Sequence, residues 1–211
     1  MNLPLVYLAS ASPRRHEILL QMGVPHDILR VPMPPGEDEP RLPDEPPHIY
    51  VLRTAREKAL RAVQWVAAAS ATAPAADDEP LDGNRPILSA DTTVILDDDI
   101  LGKPLNAEDA CSMLRRLSGR RHEVRTAVVL AHAGELHEAV SITEVHFKAL
   151  TESEIAAYCA TGESMGKAGA YGIQGKAGMF VEHIAGSYTG VMGLPVYETG
   201  RLLGAIGDRA A

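Results

Sequence analysis

Apolar and polar positions alternate in blocks that name the elements before any chemistry is considered. Pro4-Leu5-Val6-Tyr7-Leu8 is a short apolar run, which predicts a buried strand. Ile18, Leu19 and Met22 then recur at helical spacing, with Pro13 suited to the first turn and Gly23 to the C′ position. His26 to Val31 reads as a second strand, and Pro32 to Pro40 as a proline-rich loop that holds Glu37, Asp38 and Glu39 on a stiff segment. From Pro47 to about Ala69 the stripe Val51, Ala55, Ala59, Ala62 and Val66 predicts a long amphipathic helix, with Lys58 at its edge. Residues 67–86 are rich in Ala, Pro and acid without an apolar period after Val66, and read as a low-complexity surface insert.

The second half is richer in strand signals. Ile87 to Leu96 is a β-rich run with an acid, Asp91, inside it. Asp97-Asp98-Asp99 reads as a hairpin tip, and the return through Ile100-Leu101-Gly102 brings Lys103 back alongside the Asp91 end. Asn106 caps a helix that ends near Leu117. Arg121 to His132 and Glu135 to Phe147 form a long hairpin through Ala133-Gly134. Thr151 and Glu154 make a capping box for a short helix ending at Cys159. Gly162 to Gly178 is glycine-rich and carries Lys167, Tyr171, Gln174 and Lys176, but it fails the Walker A pattern at Ala170 and Ala177. Met179 to Ile184 is a further strand, Gly186 to Gly190 a polar loop, and Pro195 opens a last helix.

Composition narrows the classes. A chain of 211 residues with 45% hydrophobic residues is globular and suits one α/β domain or two tightly fused lobes. A net charge of -8 and an aromatic content of 4% argue against stable nucleic-acid binding and against anionic membranes. Cys111 and Cys159 lie far apart in the chain with no C-x-x-C, which points to buried free thiols. With no signal-peptide pattern and no apolar run long enough to span a bilayer, the expected location is the cytoplasm. Neither H-E-x-x-H nor G-x-S-x-G occurs.

Candidate chemistry gathers at four places. Ser10, Arg14 and Arg15 sit on the turn between a strand and a helix, where free backbone N–H groups and a positive dipole end suit a phosphate. Lys58 projects from the edge of a buried stripe, Lys103 from the hairpin return. Asp91 lies inside a strand, where a carboxylate is costly unless paired, hydrogen-bonded or metal-bound. Cations that offset oxygen charge, together with a carboxylate that activates water or holds a divalent ion, are what phosphoryl chemistry requires.

On these residues the chain resembles the Maf family of nucleoside triphosphate pyrophosphatases. Leu8-Ala9-Ser10-Ala11-Ser12-Pro13-Arg14-Arg15, Ala55-Arg56-Glu57-Lys58-Ala59, Ala90-Asp91-Thr92-Thr93-Val94, Gly102-Lys103-Pro104, Leu117-Ser118-Gly119 and Tyr171-Gly172-Ile173-Gln174-Gly175 stand in the family's order. They cover nearly the whole of residues 1–211, read as a single Maf-like domain apart from the 67–86 insert. The resemblance implies an elongated α/β fold, similar also to inosine triphosphatases, with a mixed sheet flanked by helices and a cleft between two lobes. It implies hydrolysis between the α and β phosphates. Asp91 matches the proton acceptor, and Ser10, Arg15, Lys58 and Lys103 match the phosphate-side residues. Glu39 matches an acid that, with Asp91, is implied to bind a divalent cation (Mg²⁺, Mn²⁺ or Co²⁺). Whether Asp91 takes the proton or holds the metal is left open by the sequence. Arg14, Thr92 and Gln174 match the branch acting on dTTP and UTP rather than on 7-methyl-GTP. A homodimer is a family expectation. The rival readings are a non-catalytic nucleotide-binding regulator of cell division and a pyrophosphatase for modified nucleotides.

Overall fold

A computed structural model of the chain describes residues 3–32, 40–71 and 80–207. One mixed sheet organises it, built from β1 (Val6–Leu8), β2 (His26–Ile28), β3 (Ile87–Leu96), β4 (Asp99–Leu101), β5 (Arg121–His132), β6 (Glu135–Phe147) and β7 (Val181–Ala185). The path is β2-β1-β3-β5-β6-β7, with β4 paired to β3 beside it. The helices are α1 (Pro13–Gln21), α2 (Pro47–Ser70), α3 (Ala107–Leu117), α4 (Glu152–Ala160), α5 (Tyr188–Met192) and α6 (Val196–Gly207). This is the mixed sheet flanked by helices that the family resemblance implies.

The register of β3 creates the site. Along one edge it pairs with β5 from Ile87 to Ile95. Along the other, β1 pairs in parallel with Ile87 and Leu88, and β4 pairs antiparallel with Val94 to Leu96. Among the described residues, no strand covers that edge between Ser89 and Thr93. The strands on either side part there, as they do at a topological switch point, and leave a crevice. Asp97 and Asp98 both take positive φ, 50° and 65°, which makes the two-residue hairpin turn that returns β4 toward the cleft.

Period-2 alternation then separates the neighbours. Ser89 and Asp91 face α2, where the Ser89 hydroxyl donates to the Ala55 carbonyl at 2.9 Å. Leu88, Ala90, Thr92 and Val94 face the other way. That second face carries two aliphatic clusters. One joins Leu88, Ala90, Val128 and Leu130 to Ile18, Leu19, Leu203 and Ile206 from α1 and α6. The other joins Val94, Leu96 and Val124 to Leu114, Leu117 and Ile155 from α3 and α4. Between them lies the polar cross-strand pair Thr92 and Thr126, so the core itself is divided at the level of the crevice.

Several sequence expectations meet local differences. The second strand stops at Ile28 rather than Val31. The last strand begins at Val181, after a 3₁₀ turn over Lys176–Phe180 takes up Met179. The polar Gly186–Gly190 segment is the start of α5, because the Ser187 hydroxyl caps the Gly190 N–H. The insert expected over 67–86 begins inside the last turn of α2, and residues 72–79 lie outside the described residues. Asn106 and the Thr151–Glu154 capping box act as expected. Cys111 and Cys159, distant in sequence, meet where α3 packs on α4. Burial and the neighbouring Cys111 thiol push Cys159 up to about 12. Among the described residues, no helix is long and apolar enough to cross a membrane.

Candidate active site

The crevice at the open edge of β3 is a cleft of about 1050 Å³. Ser10, Arg14 and Arg15 reach it from the β1–α1 turn, Lys58 from α2, Asp91 and Thr92 from β3, Lys103 from the β4 return and Gln174 from the glycine-rich segment. All the sequence-predicted residues among those described therefore line one cavity. Glu39, the expected second metal-binding acid, lies outside the described residues.

Asp91 is the centre of the arrangement and is 4% exposed. Lys58 donates to its Oδ1 at 2.7 Å, and the Thr54 hydroxyl donates to its Oδ2 at 2.8 Å. Thr54 and Lys58 stand one turn apart on α2, so a single helix face supplies both partners. Burial alone would raise the carboxyl. Lys58, Arg15 and the Thr54 hydrogen bond outweigh it and hold Asp91 below its ordinary value. The group is therefore an anion at neutral pH, anchored on two sides and open to the cleft.

On the opposite face of the strand Arg15 is clamped. Its Nε donates to the Gly193 carbonyl at 2.8 Å, Nη1 to Ser10 Oγ at 3.0 Å and Nη2 to Thr92 Oγ1 at 3.4 Å. Gly193 has φ 117°, which favours glycine and closes α5 where its carbonyl can meet the guanidinium. Arg14 donates from Nε to the Met192 carbonyl at 3.2 Å, and burial draws its guanidinium below the ordinary value. Ser12, at the N-cap of α1, makes no side-chain cap bond, and the first turn of the helix from Pro13 to Arg15 lines the cleft.

The Thr92 hydroxyl has a defined polarity. Thr126 Oγ1 donates its one proton to the Gly190 carbonyl at 2.7 Å. At the 2.9 Å contact between the two threonines, Thr92 must then be the donor. Its remaining lone pairs face Arg15 and the cleft as acceptors.

The lining is strongly basic: seven Lys and Arg side chains against one carboxylate, Asp91, among the described residues. A chain of net charge -8 thus concentrates positive potential at one point, which draws in an anionic ligand. No group of three or more His, Cys, Asp or Glu that could hold a metal occurs among the described residues. Thr54, Thr126 and Lys167 were not singled out for the site by sequence. Thr54 carried a usable signal, its i, i+4 relation to Lys58. Thr126 had none, because only the β3–β5 register brings it to Thr92.

The family profile described as "Maf-like protein" matches residues 5–206. A Bordetella pertussis protein named "dTTP/UTP pyrophosphatase" is 57% identical over 204 residues, covering 97% of this chain and 93% of its own. Proteins of the same name from Dechloromonas aromatica and Xanthomonas euvesicatoria are each 47% identical, over 97% and 96% of this chain and 98% and 99% of their own. A profile match across almost the whole chain, including every motif that builds the cleft, means that this chain belongs to the Maf family.

Proposed function

We propose that the protein hydrolyses the α–β phosphoanhydride of nucleoside triphosphates, preferring dTTP and UTP, to give the nucleoside monophosphate and pyrophosphate. The observation that carries this reading is Asp91 at the open edge of β3, anchored by Lys58 and Thr54 within a cleft that is otherwise basic. In this reading water attacks the phosphorus and Asp91 accepts its proton, while the P–O bond to the leaving pyrophosphate breaks. Lys58, Lys103, Arg15 and Ser10 bind the phosphates and offset the charge that develops on them. Arg14, Thr92 and Gln174 face the nucleoside. The relatives' printed names support the dTTP and UTP preference.

A divalent cation fits the donor set. Mg²⁺ characteristically takes one or two carboxylates and completes its shell with water and substrate phosphates. Asp91, with Glu39 as the sequence-expected second acid, would hold it, and when bound the ion would polarise the phosphoryl oxygens and lower the pKa of its water.

Pyrophosphate release from dTTP, UTP, CTP, GTP and 7-methyl-GTP, with Mg²⁺ or Mn²⁺, tests the reading. Selective release from dTTP and UTP with formation of the matching monophosphate is expected. Release mainly from 7-methyl-GTP would overturn the base preference, and no release from a folded, nucleotide-binding protein would overturn catalysis.

A further inference from the structure

The glycine-rich segment 162–178 contributes to the cleft a cation that the reading above does not use. Lys167 lines the cleft just before the 3₁₀ turn Ala168–Ala170. Its position is tightly set. Gly169 has φ 66°, and a Cβ there would come within 2.9 Å of Val94, so the turn lies directly against β3. The Gly169 N–H also donates to the Gly102 carbonyl at 3.1 Å, next to Lys103. The Lys167 ammonium donates to the Glu163 carbonyl. Its stem passes over Gly172, where a Cβ would fall 3.1 Å from Lys167 Cε, 3.2 Å from its Cδ and 3.6 Å from Gln174 Oε1. The stem of Lys167 and the amide oxygen of Gln174 thus flank one point, and the missing side chain at position 172 makes room for both.

That juxtaposition resolves a problem in base recognition. Uracil and thymine present an N3–H donor beside an O4 acceptor. Cytosine presents the reverse, an N3 acceptor beside an amino donor. A glutamine amide has one acceptor and one donor end and satisfies either edge by turning over. Gln174 alone therefore cannot separate a 4-oxo from a 4-amino pyrimidine. A lysine ammonium has three N–H donors and no acceptor. With one proton on the Glu163 carbonyl it still offers donors only. Beside Gln174 it fixes the polarity of the subsite: a carbonyl oxygen is welcome, and an amino group meets a second donor and a positive charge.

We propose that Lys167 is a specificity-determining residue, the donor-only group that makes the Gln174 side of the cleft select 4-oxo pyrimidine nucleotides over cytosine nucleotides. This inference rests on the proposed dTTP and UTP preference. Burial and nearby Arg14 draw the Lys167 ammonium below its ordinary value, with Glu163 opposing, as befits a cation that borders the cleft beside another.

The test is kcat/KM for UTP and CTP in wild type, Lys167→Met, Lys167→Gln and Lys167→Arg. Methionine keeps the unbranched stem over Gly172 without a charge, and glutamine restores a group that both donates and accepts. Loss of a hydrogen bond from a charged donor is expected to lower the UTP:CTP ratio about tenfold or more in both. Lys167→Arg, again donor-only, should retain most of the ratio. If the Met variant does not fold, the Gln variant carries the test. Equal losses for UTP and CTP would place Lys167 on the phosphates and overturn the proposal, as would unchanged rates for both. A wild-type enzyme that does not prefer UTP to CTP would instead overturn the function proposed above, so the two failures are distinct.

Discussion

Replacing Asp91 with Asn tests the centre of the site with little change of shape. The Asn carbonyl oxygen can still accept from Thr54, whose hydroxyl lies 2.8 Å from Oδ2 of Asp91. What is lost is the negative charge opposite Lys58. Removing one partner of a fully buried ion pair costs about 3–5 kcal/mol. Here the Lys58 side chain is 17% exposed at the cleft and can rehydrate, so the cost falls toward the bottom of that range or below it, about 1–3 kcal/mol. In a chain of this length each kcal/mol lowers Tm by about 2–4 °C, so the variant stays folded at 25 °C. Turnover should fall far more steeply, because a positioned general base contributes about 10²–10⁴-fold. Nucleotide affinity should hold or rise, since a carboxylate no longer faces the triphosphate. Pyrophosphate release, thermal unfolding and equilibrium nucleotide binding measured on one preparation separate these effects. Lys58→Met adds a readout that a structural role would not give. Without its nearest cation the buried Asp91 carboxyl should rise toward and past the ordinary value, moving the acid limb of the pH–rate profile to higher pH. A folded Asp91→Asn protein turning over within about tenfold of wild type would refute the role given to Asp91.

Three further outcomes are expected. Thr126→Val, isosteric and fully buried, removes the group that orients Thr92 and leaves the Gly190 carbonyl with the Gly193 N–H as its donor; unfolding should show a loss of about 0.5–1.5 kcal/mol, and dTTP and UTP should lose relative preference as Thr92 turns its proton to the cleft. Gln174→Glu, at an exposed position, should change stability by less than about 0.5 kcal/mol while lowering kcat/KM for UTP and dTTP about tenfold or more; unchanged relative rates across nucleotides would mean that the base is read elsewhere. His122 is buried, and burial with His146 nearby pushes its imidazole down to about 4. The unfolded chain takes up that proton below about pH 6.5, whereas the folded one does so only near pH 4, so this contribution is full above about pH 6.5 and is lost as pH falls to 4. Urea midpoints should drop by the equivalent of up to about 3 kcal/mol across that window, and less in His122→Gln; equal slopes in the two proteins would refute this source of acid lability.

How much could be read before folding follows from how local each signal is. Helix periodicity, Asn106 and Thr151 caps, and the Arg121–His132 and Glu135–Phe147 hairpin depend on residues within a few positions of one another, and the structure places them as their patterns imply. Asp91 and Lys58 were also legible, because a carboxylate inside a strand and a lysine at the edge of a buried stripe violate the local pattern and stand out, whereas Thr92 and Gln174 entered only through the family resemblance. Lys103 was placed by a two-residue hairpin, again a short-range constraint.

What only the tertiary structure decided is how these residues share one cavity and in what electrical state. The break in pairing on the β3 edge between β1 and β4 depends on two distant parts of the chain, the first strand and the β3–β4 hairpin. The division of the core at Thr92 and Thr126 depends on the β3–β5 register, and so does the polarity of the Thr92 hydroxyl. The depressed Asp91 carboxyl requires Lys58, Thr54 and Arg15 to converge from α2 and α1 against the cost of burial. Lys167 reads in sequence as one cation in a glycine-rich run, and becomes a neighbour of Gln174 only because Gly169 seats the turn on Val94 and Gly172 leaves room. Sequence specifies the groups and their local geometry; burial, register and electrostatic coupling are sums over distant parts of the chain, and they exist only once it has closed on itself.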